Sequence, residues 1–319
     1  MSKKVKGVIL AAGYGTRFLP ASKTLPKELF PLINRPVIDF IIEEMIESGI
    51  EDILIITSRR KKVLEDYLDR EIELEAMLAG KEDKLAKIKP VKANILFVRQ
   101  KEMKGTGDAL ALCESFAHDS PFVVAYPDDL VFSRTPLCRQ LIEVYLDSGK
   151  SVLAVKNLPN EDVSRYGVIN PDIQTGDNTY RIKGLVEKPT RGTEPSNMVS
   201  FGRYLFTPEI FPIIRELRNK ERIGEFYQTE IINVLADAQK VLALDFEGTR
   251  YDTGEPLGYL KTIVDYALDQ ADLQTDFYNY LEEIVESKKL YKQSINTLKM
   301  TANQINLSES LTKEIIKNS

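Results

Sequence analysis

Leu10-Ala11-Ala12-Gly13-Tyr14-Gly15-Thr16-Arg17 closes a short apolar run that begins at Val5. An apolar run of that length, halted by glycine, is the pattern of a parallel strand buried on both faces. Glycines after such a strand let backbone amides approach a polyphosphate, and an arginine can then neutralise it. A dinucleotide-binding turn requires a third glycine where this chain has Phe18, and a P-loop requires Gly-Lys-Ser/Thr directly before a helix. Neither is present. The chain continues instead through Pro20 and Lys23 to Pro26-Lys27-Glu28-Leu29, and a helix begins only near Pro36. The prolines predict a long, shaped phosphate loop from which two cations, Arg17 and Lys27, project.

Beyond the loop, Val37, Phe40, Ile41, Met45 and Ile46 recur at helical spacing and Gly49 supplies the stop. Ile53–Thr57, Asn94–Val98, Phe122–Tyr126 and Ser151–Lys156 read as strands, and Ala109–Phe116 and Leu137–Leu146 as helices. Alternation at this length predicts an α/β fold: a mostly parallel, Rossmann-like twisted sheet with helices on both faces. From Asn157 to Thr179 the texture turns polar and reads as a connector. Two β-rich segments follow, Tyr180–Glu187 and Met198–Phe206, then helical patterns at Pro208–Leu217, Gln228–Ala238 and Pro256–Ala271. The expected organisation is one domain over residues 1–275, in halves 1–156 and 157–275 of which the second is the smaller and β-rich, with a charged helical tail over 276–319.

A net charge of −5 argues against a general binder of nucleic acid or anionic membrane, since either needs an excess of Lys and Arg. Arg59-Arg60-Lys61-Lys62 has no interleaved aromatics and reads as a solvated helix start. Cys113 and Cys138 are unclustered, which suits neither a disulfide framework nor a zinc site and fits a reducing, cytoplasmic compartment. No apolar run approaches the length of a membrane span, and Val8–Ala12 is too short for a signal-peptide core. His118, the single histidine, reads as a surface residue.

Gly-x-Gly-Thr-Arg at 13–17 with Pro26-Lys27 resembles the signature of the sugar-nucleotide pyrophosphorylases. The resemblance implies nucleotide contacts at Ala11, Ala12, Gly13, Gly15, Thr16 and Glu28, with Arg17 and Lys27 catalytic. Gln100 and Lys104-Gly105-Thr106-Gly107 are similar to the base-reading segment of the bacterial UDP-glucose pyrophosphorylases, in which a glutamine amide meets a pyrimidine edge. That adds Gln100 and Gly105 to the nucleotide contacts. One departure is Asp108, where those enzymes usually carry His; an acid in a first helical turn suits the helix dipole.

Asp128 follows the strand Phe122–Tyr126, and carboxylates at that end of a central strand overlie the ligand crevice and suit Mg²⁺. By resemblance Asp128 is both catalytic and a metal ligand, and Asp252 in Arg250-Tyr251-Asp252-Thr253-Gly254 is a second one. Asp129 is either a partner of that site or a solvated turn residue. Glu187-Lys188-Pro189 resembles the family's sugar-phosphate grip, with Lys188 catalytic and Glu187, Gly167, Gly202 and Glu225 around the sugar. A helical insertion, Glu73-Leu74-Glu75 to Leu78-x-Gly80-Lys81, resembles that of the bacterial uridylyltransferases. Over residues 5–285 the resemblance therefore implies conversion of UTP and glucose 1-phosphate to UDP-glucose and pyrophosphate, with Mg²⁺, by a homo-oligomer. The first half is then the nucleotide-binding one and the second the sugar-phosphate-binding one. A thymidylyl- or uridylyltransferase for another sugar phosphate, or a silent nucleotide-sugar sensor, are the alternatives.

Overall fold

A computed structural model describes residues 4–159 and 161–294. Contacts divide the chain into two compact units, Met1–Thr262 and Ile263–Ser319, a division ahead of the expected break at 275. In the second unit residues 274–294 are helical, and the rest of the expected tail, 295–319, lies outside the described residues.

In chain order, the first unit begins with strand β1 (Lys6–Leu10), a small ribbon of β2 (Pro31–Leu32) and β3 (Arg35–Pro36), helix α1 (Val37–Glu47) and β4 (Asp52–Thr57). Helix α2 (Lys62–Leu68) follows, the insertion read at 73–81 is helical over α3 (Ile72–Met77), and α4 (Glu82–Leu85) precedes β5 (Asn94–Arg99). Next come α5 (Thr106–Ala111), α6 (Glu114–Ala117), β6 (Phe122–Ala125), β7 (Asp129–Phe132), α7 (Leu137–Ser148) and β8 (Ser151–Asn157). The rest is β9 (Gly167–Gln174), β10 (Thr179–Glu187), β11 (Met198–Phe206), α8 (Ile210–Arg218), α9 (Gln228–Asp237), β12 (Val241–Asp245), β13 (Thr249–Asp252) and α10 (Pro256–Leu268), which runs across the division between the units.

Nine strands form one sheet in the order β5-β4-β1-β6-β11-β8-β12-β10-β9. The expectation of a mostly parallel sheet holds only in part. β5, β4, β1 and β6 are mutually parallel, and β12 is parallel to β8. β11 enters between β6 and β8 antiparallel to both, and β10 and β9 are antiparallel to their neighbours. β11 takes that central place because all of its nine residues are buried and it carries no polar face to keep in water. β9 also returns to pair with β11, so this half of the sheet curls on itself. β9 lies inside the stretch read as a polar connector. Its bulged register with β10 and mixed burial give no clean alternation, which is why period alone missed it.

Glu44, on the inner face of α1, is buried with Arg203 of β11: Nη2 donates to Oε2 over 2.8 Å and Nε to Oε1 over 3.2 Å. Cys138 of α7 adds its backbone N–H and its thiol to the same Glu44 oxygen. An ionised group this deep is tolerable only with such partners. Glu44→Leu should therefore strand the Arg203 charge and cost about 3–5 kcal/mol in urea unfolding. The double variant Glu44→Leu/Arg203→Met should recover most of that loss.

Candidate active site

The C-terminal ends of β5, β4, β1 and β6 lie side by side, and at this edge an open α/β sheet binds its ligands. After β1, the glycine loop turns through Gly15 at φ 65°, a left-handed conformation that favours glycine, and Ser22 Oγ ties the turn by donating to the Gly15 carbonyl. Three short 3₁₀ turns, Thr16–Phe18, Ala21–Lys23 and Lys27–Leu29, carry the chain onward. Phe18, at the position a dinucleotide fold gives to glycine, packs edge-on against Phe30 and Tyr259 and anchors the loop.

Of the two loop cations, Lys27 points inward and bonds Asp128 Oδ2 at 2.5 Å. Arg17 remains exposed, with Glu255 at 3.8 Å. Burial would lower the Lys27 ammonium, but Asp128 and Glu28 beside it hold it above the ordinary lysine value. Burial likewise pushes the Asp128 carboxyl up, and Lys27 more than reverses this, keeping it below the usual carboxylate range. Lys61 is a correction to the reading of Arg59–Lys62 as solvated: it is buried and gives its ammonium to both oxygens of Glu28, at 2.7 and 2.8 Å. Glu28 is thus closed within the protein, behind the loop.

Beyond β6, the Asp128 carbonyl accepts the backbone N–H and the hydroxyl of Thr253, which stitches it to the turn after β13. There Gly254 is a required glycine. A Cβ on it would lie 2.5 Å from Asp128 Oδ2 and 3.1 Å from Asp252 Oδ1, so the two carboxylates converge on one point. The register of β13 with β7 sets Asp252 opposite Asp129. Asp129 is no solvated turn residue. Its Oδ1 accepts Arg250 Nε at 2.6 Å and its Oδ2 accepts the Gly202 N–H at 3.0 Å. Arg250 also reaches Asp252 at 3.2 Å. Burial raises the Asp129 carboxyl, and the neighbouring Asp128 and Asp252 outweigh part of what Arg250 restores.

A second group of residues surrounds a cavity of about 230 Å³ whose walls include Gly167, Glu187, Gly202, Tyr227, Gln228 and Arg250. The sheet itself gathers them: Gly167 pairs in register with Glu187 on one side and Ser200 on the other. A Cβ on Gly167 would stand 3.2 Å from Glu187 Oε2. Lys188, next to Glu187, is exposed at a positive φ of 46°, its N–H donating to the Tyr166 carbonyl at 3.0 Å. Glu225 is exposed and forms no part of the cavity wall. Gln100 follows β5 and is buried, and Gly105 opens α5 against the backbone of Phe226.

Arg250 and Gln228 received no role from the sequence. Alternation offered a signal for Arg250, since Arg250 and Asp252 fall on one face of a short strand. Gln228 gave none: it is buried in the first turn of α9, and its Oε1 lacks a partner among the described residues. Among the described residues no cluster of three or more His, Cys, Asp or Glu is placed to hold a metal, and no helix is long and apolar enough to cross a membrane.

A glycine loop with an inward lysine and two acids at the strand ends thus share one edge of the sheet, and a polar cavity lies between the strands beside them. The chain belongs to the nucleotidyl transferase family, whose model matches residues 6–268. It is 43% identical over 288 residues to a UTP–glucose-1-phosphate uridylyltransferase of Staphylococcus epidermidis, covering 89% of this chain and 99% of that one. Among solved structures, a UDP-glucose pyrophosphorylase complexed with UDP-glucose superposes with a TM-score of 0.74 at 35% identity, over 84% of this chain and 100% of that one. A UTP-bound UGPase from Acinetobacter baumannii does so with a TM-score of 0.79 at 33% identity, over 88% and 99%.

Asp129→Ala should leave Arg250 partly buried with one acid in place of two, and melt the protein well below wild type, a loss of about 3 kcal/mol. Asp128→Ala, at a carboxylate that pairs with a single lysine, should melt much closer to wild type; equal melts for both would remove the distinction drawn between these adjacent acids.

Proposed function

We propose that this chain is a UTP–glucose-1-phosphate uridylyltransferase, forming UDP-glucose and pyrophosphate. The observation that carries the reading is the convergence of Lys27, Asp128 and Asp252 at the strand ends, next to a cavity bordered by Glu187 and Gly167. The names of the Staphylococcus relative and of the UDP-glucose and UTP complexes supply the two substrates.

The chemistry needs no covalent enzyme intermediate, because the attacking sugar phosphate is already an anion. One of its oxygens forms a bond to the α-phosphorus of UTP as the bond from that phosphorus to the bridging oxygen breaks, and pyrophosphate departs with the electron pair. The obstacle is bringing polyanions together, so catalysis consists of positioning and charge stabilisation. In this reading the loop from Ala11 through Gly13 and Gly15 to Thr16 lines the triphosphate, with Arg17 and Lys27 as its cations. Gln100 and Gly105 face the base, and Lys188 grips the sugar phosphate. Glu187 accepts sugar hydroxyls, while Gly167 and Gly202 line the sugar pocket and Glu225 closes over it from the loop before α9. Lys27 is the mobile charge, exchanging Asp128 for a phosphate oxygen.

The two converging carboxylates fit Mg²⁺, an oxygen-seeking ion commonly held by one or two acids with phosphates and water completing its shell. Bound there by Asp128 and Asp252, it would supply neutralising charge to the phosphates. A cytoplasmic, self-associating protein with one domain over residues 1–275 and a further segment after it completes the reading. Its buried, unpaired cysteines suit a reducing compartment.

Pyrophosphate release from each nucleoside triphosphate with glucose 1-phosphate and Mg²⁺ should be fastest with UTP. Arg17→Ala and Lys27→Ala should each cut turnover by about 10²-fold or more, the scale for losing a charge partner of the transition state. Asp128→Asn should abolish nearly all release with the fold retained. Glu187→Gln should weaken glucose 1-phosphate use far more than UTP binding. A folded wild-type protein inert at every Mg²⁺ concentration would refute the reading.

A further inference from the structure

Gln100 has an amide whose direction the protein has already chosen. Its Nε2 donates to the Gly105 carbonyl at 3.2 Å and to Asp108 Oδ2 at 3.4 Å. Both partners are acceptors only, so turning the amide over would set its oxygen against two oxygens. The first partner is locked in place. Phe226 donates its N–H to the Lys104 carbonyl and accepts the Gly107 N–H, both at 2.8 Å, and leaves no room for a Cβ on Gly105 or Gly107. The second is held from behind, because Asp108 Oδ1 pairs with Arg218 of α8 at 3.0 Å. With both amide hydrogens engaged, the only hydrogen-bonding capacity left on Gln100 is acceptance at Oε1, to which no donor is directed among the described residues.

We infer that Asp108 is a positioning residue for base choice: it fixes Gln100 as an acceptor toward the ring nitrogen of the base and so favours a base that carries hydrogen on N3. Uracil offers N3–H there, whereas cytosine offers a bare N3 lone pair, which faces Oε1 unfavourably. Gly105 alone would hold the amide by one bond, and Asp108 adds a second acceptor that opposes turning it. The device separates uracil from cytosine and is indifferent to the methyl group that separates uracil from thymine. It rests on the reading of this edge as a uridylyl-transfer site, and adds to it the residue that sets the hydrogen-bonding sense of the base reader.

The test is the binding of UTP and of CTP to the full chain with Mg²⁺ and no sugar phosphate, by calorimetry, together with a thermal melt. Wild type should favour UTP by on the order of a hundredfold, since a mispaired buried polar group is costly. Asp108→Asn provides a donor that can receive a turned Gln100, and should lower the UTP-to-CTP preference about tenfold or more. Asp108→Ala removes the carboxylate without adding a donor and should lower it less, in the same direction. A merely structural Asp108 would shift the melt and weaken both nucleotides equally. An unchanged preference in either folded variant, or a wild type without preference, overturns the inference. UTP binding with no pyrophosphate release on addition of glucose 1-phosphate would instead count against the transferase reading, while the preference still decides the role of Asp108.

Discussion

Arg203 holds the two strands on which the candidate site is hung. It is 1% exposed, at a depth where an unpaired guanidinium would be prohibitive, and burial alone would weaken its hold on its proton. Glu44 and the surrounding acceptors keep it charged, and its Nη1 draws on the Tyr126 and Gly202 carbonyls, each at 3.1 Å. The Gly202 carbonyl also accepts the Tyr126 N–H, so the end of β6 and the middle of β11 are fixed to one another at a single point. The turn Tyr126-Pro127-Asp128-Asp129 leaves from that point. A weak or mobile contact here would let both acids drift; a charge that must be satisfied does not allow it.

From this point outward the site is a series of ion pairs of graded burial. Glu28 and Lys61 are closed within the protein, Asp129 and Arg250 are partly enclosed, and Lys27 with Asp128 lies nearest the open crevice. Burial lowers the Lys61 ammonium and Glu28 restores only part of it, whereas Lys27 is held above the ordinary value by its acids. The outermost pair is therefore the one whose charge is secure and whose partner can be exchanged. The inner pairs hold the loop and the β13 turn in place around it.

The parts of this arrangement that were legible in the sequence are those that depend on local backbone chemistry. The glycine loop, the late helix start at Pro36 and the apolar strands β1, β4 and β6 follow from φ restrictions and from runs too apolar to face water. Lys27, Asp128 and Glu187 could be named because each sits at a strand or loop end with a telling neighbour. The misses depend on tertiary contacts. β9 is bulged and mixed in burial, so its pattern resembles a connector until β10 and β11 lie against it. Lys61 reads as a solvated charge, and Asp129 stays open between a partner of the site and a solvated turn residue, because their partners, Glu28 and Arg250, are distant in sequence. The nine buried residues of β11 declared a strand, but no local rule gives its direction in the sheet.

That direction matters for what the two halves of the sheet can do. Parallel strands place all their C-terminal ends, with the loops that follow, on one edge, and here that edge carries the glycine loop, Gln100 and Asp128. Antiparallel strands alternate their ends, and a curled antiparallel group makes a concave wall of side chains instead. β9, β10 and β11 form such a wall, on which register alone brings Gly167, Glu187 and Ser200 together. β11 belongs to both regions, since it pairs with β6 over Arg203–Phe206 and with β9 over Val199–Ser200. Gly202 lies between those two stretches, donating its N–H to Asp129 and leaving no room for a Cβ beside Tyr126. The edge that carries the glycine loop and the cavity walled by β9, β10 and β11 are thereby separated by a few residues of one buried strand. Reaction between two anions at fixed distance needs that rigidity more than it needs any additional catalytic group.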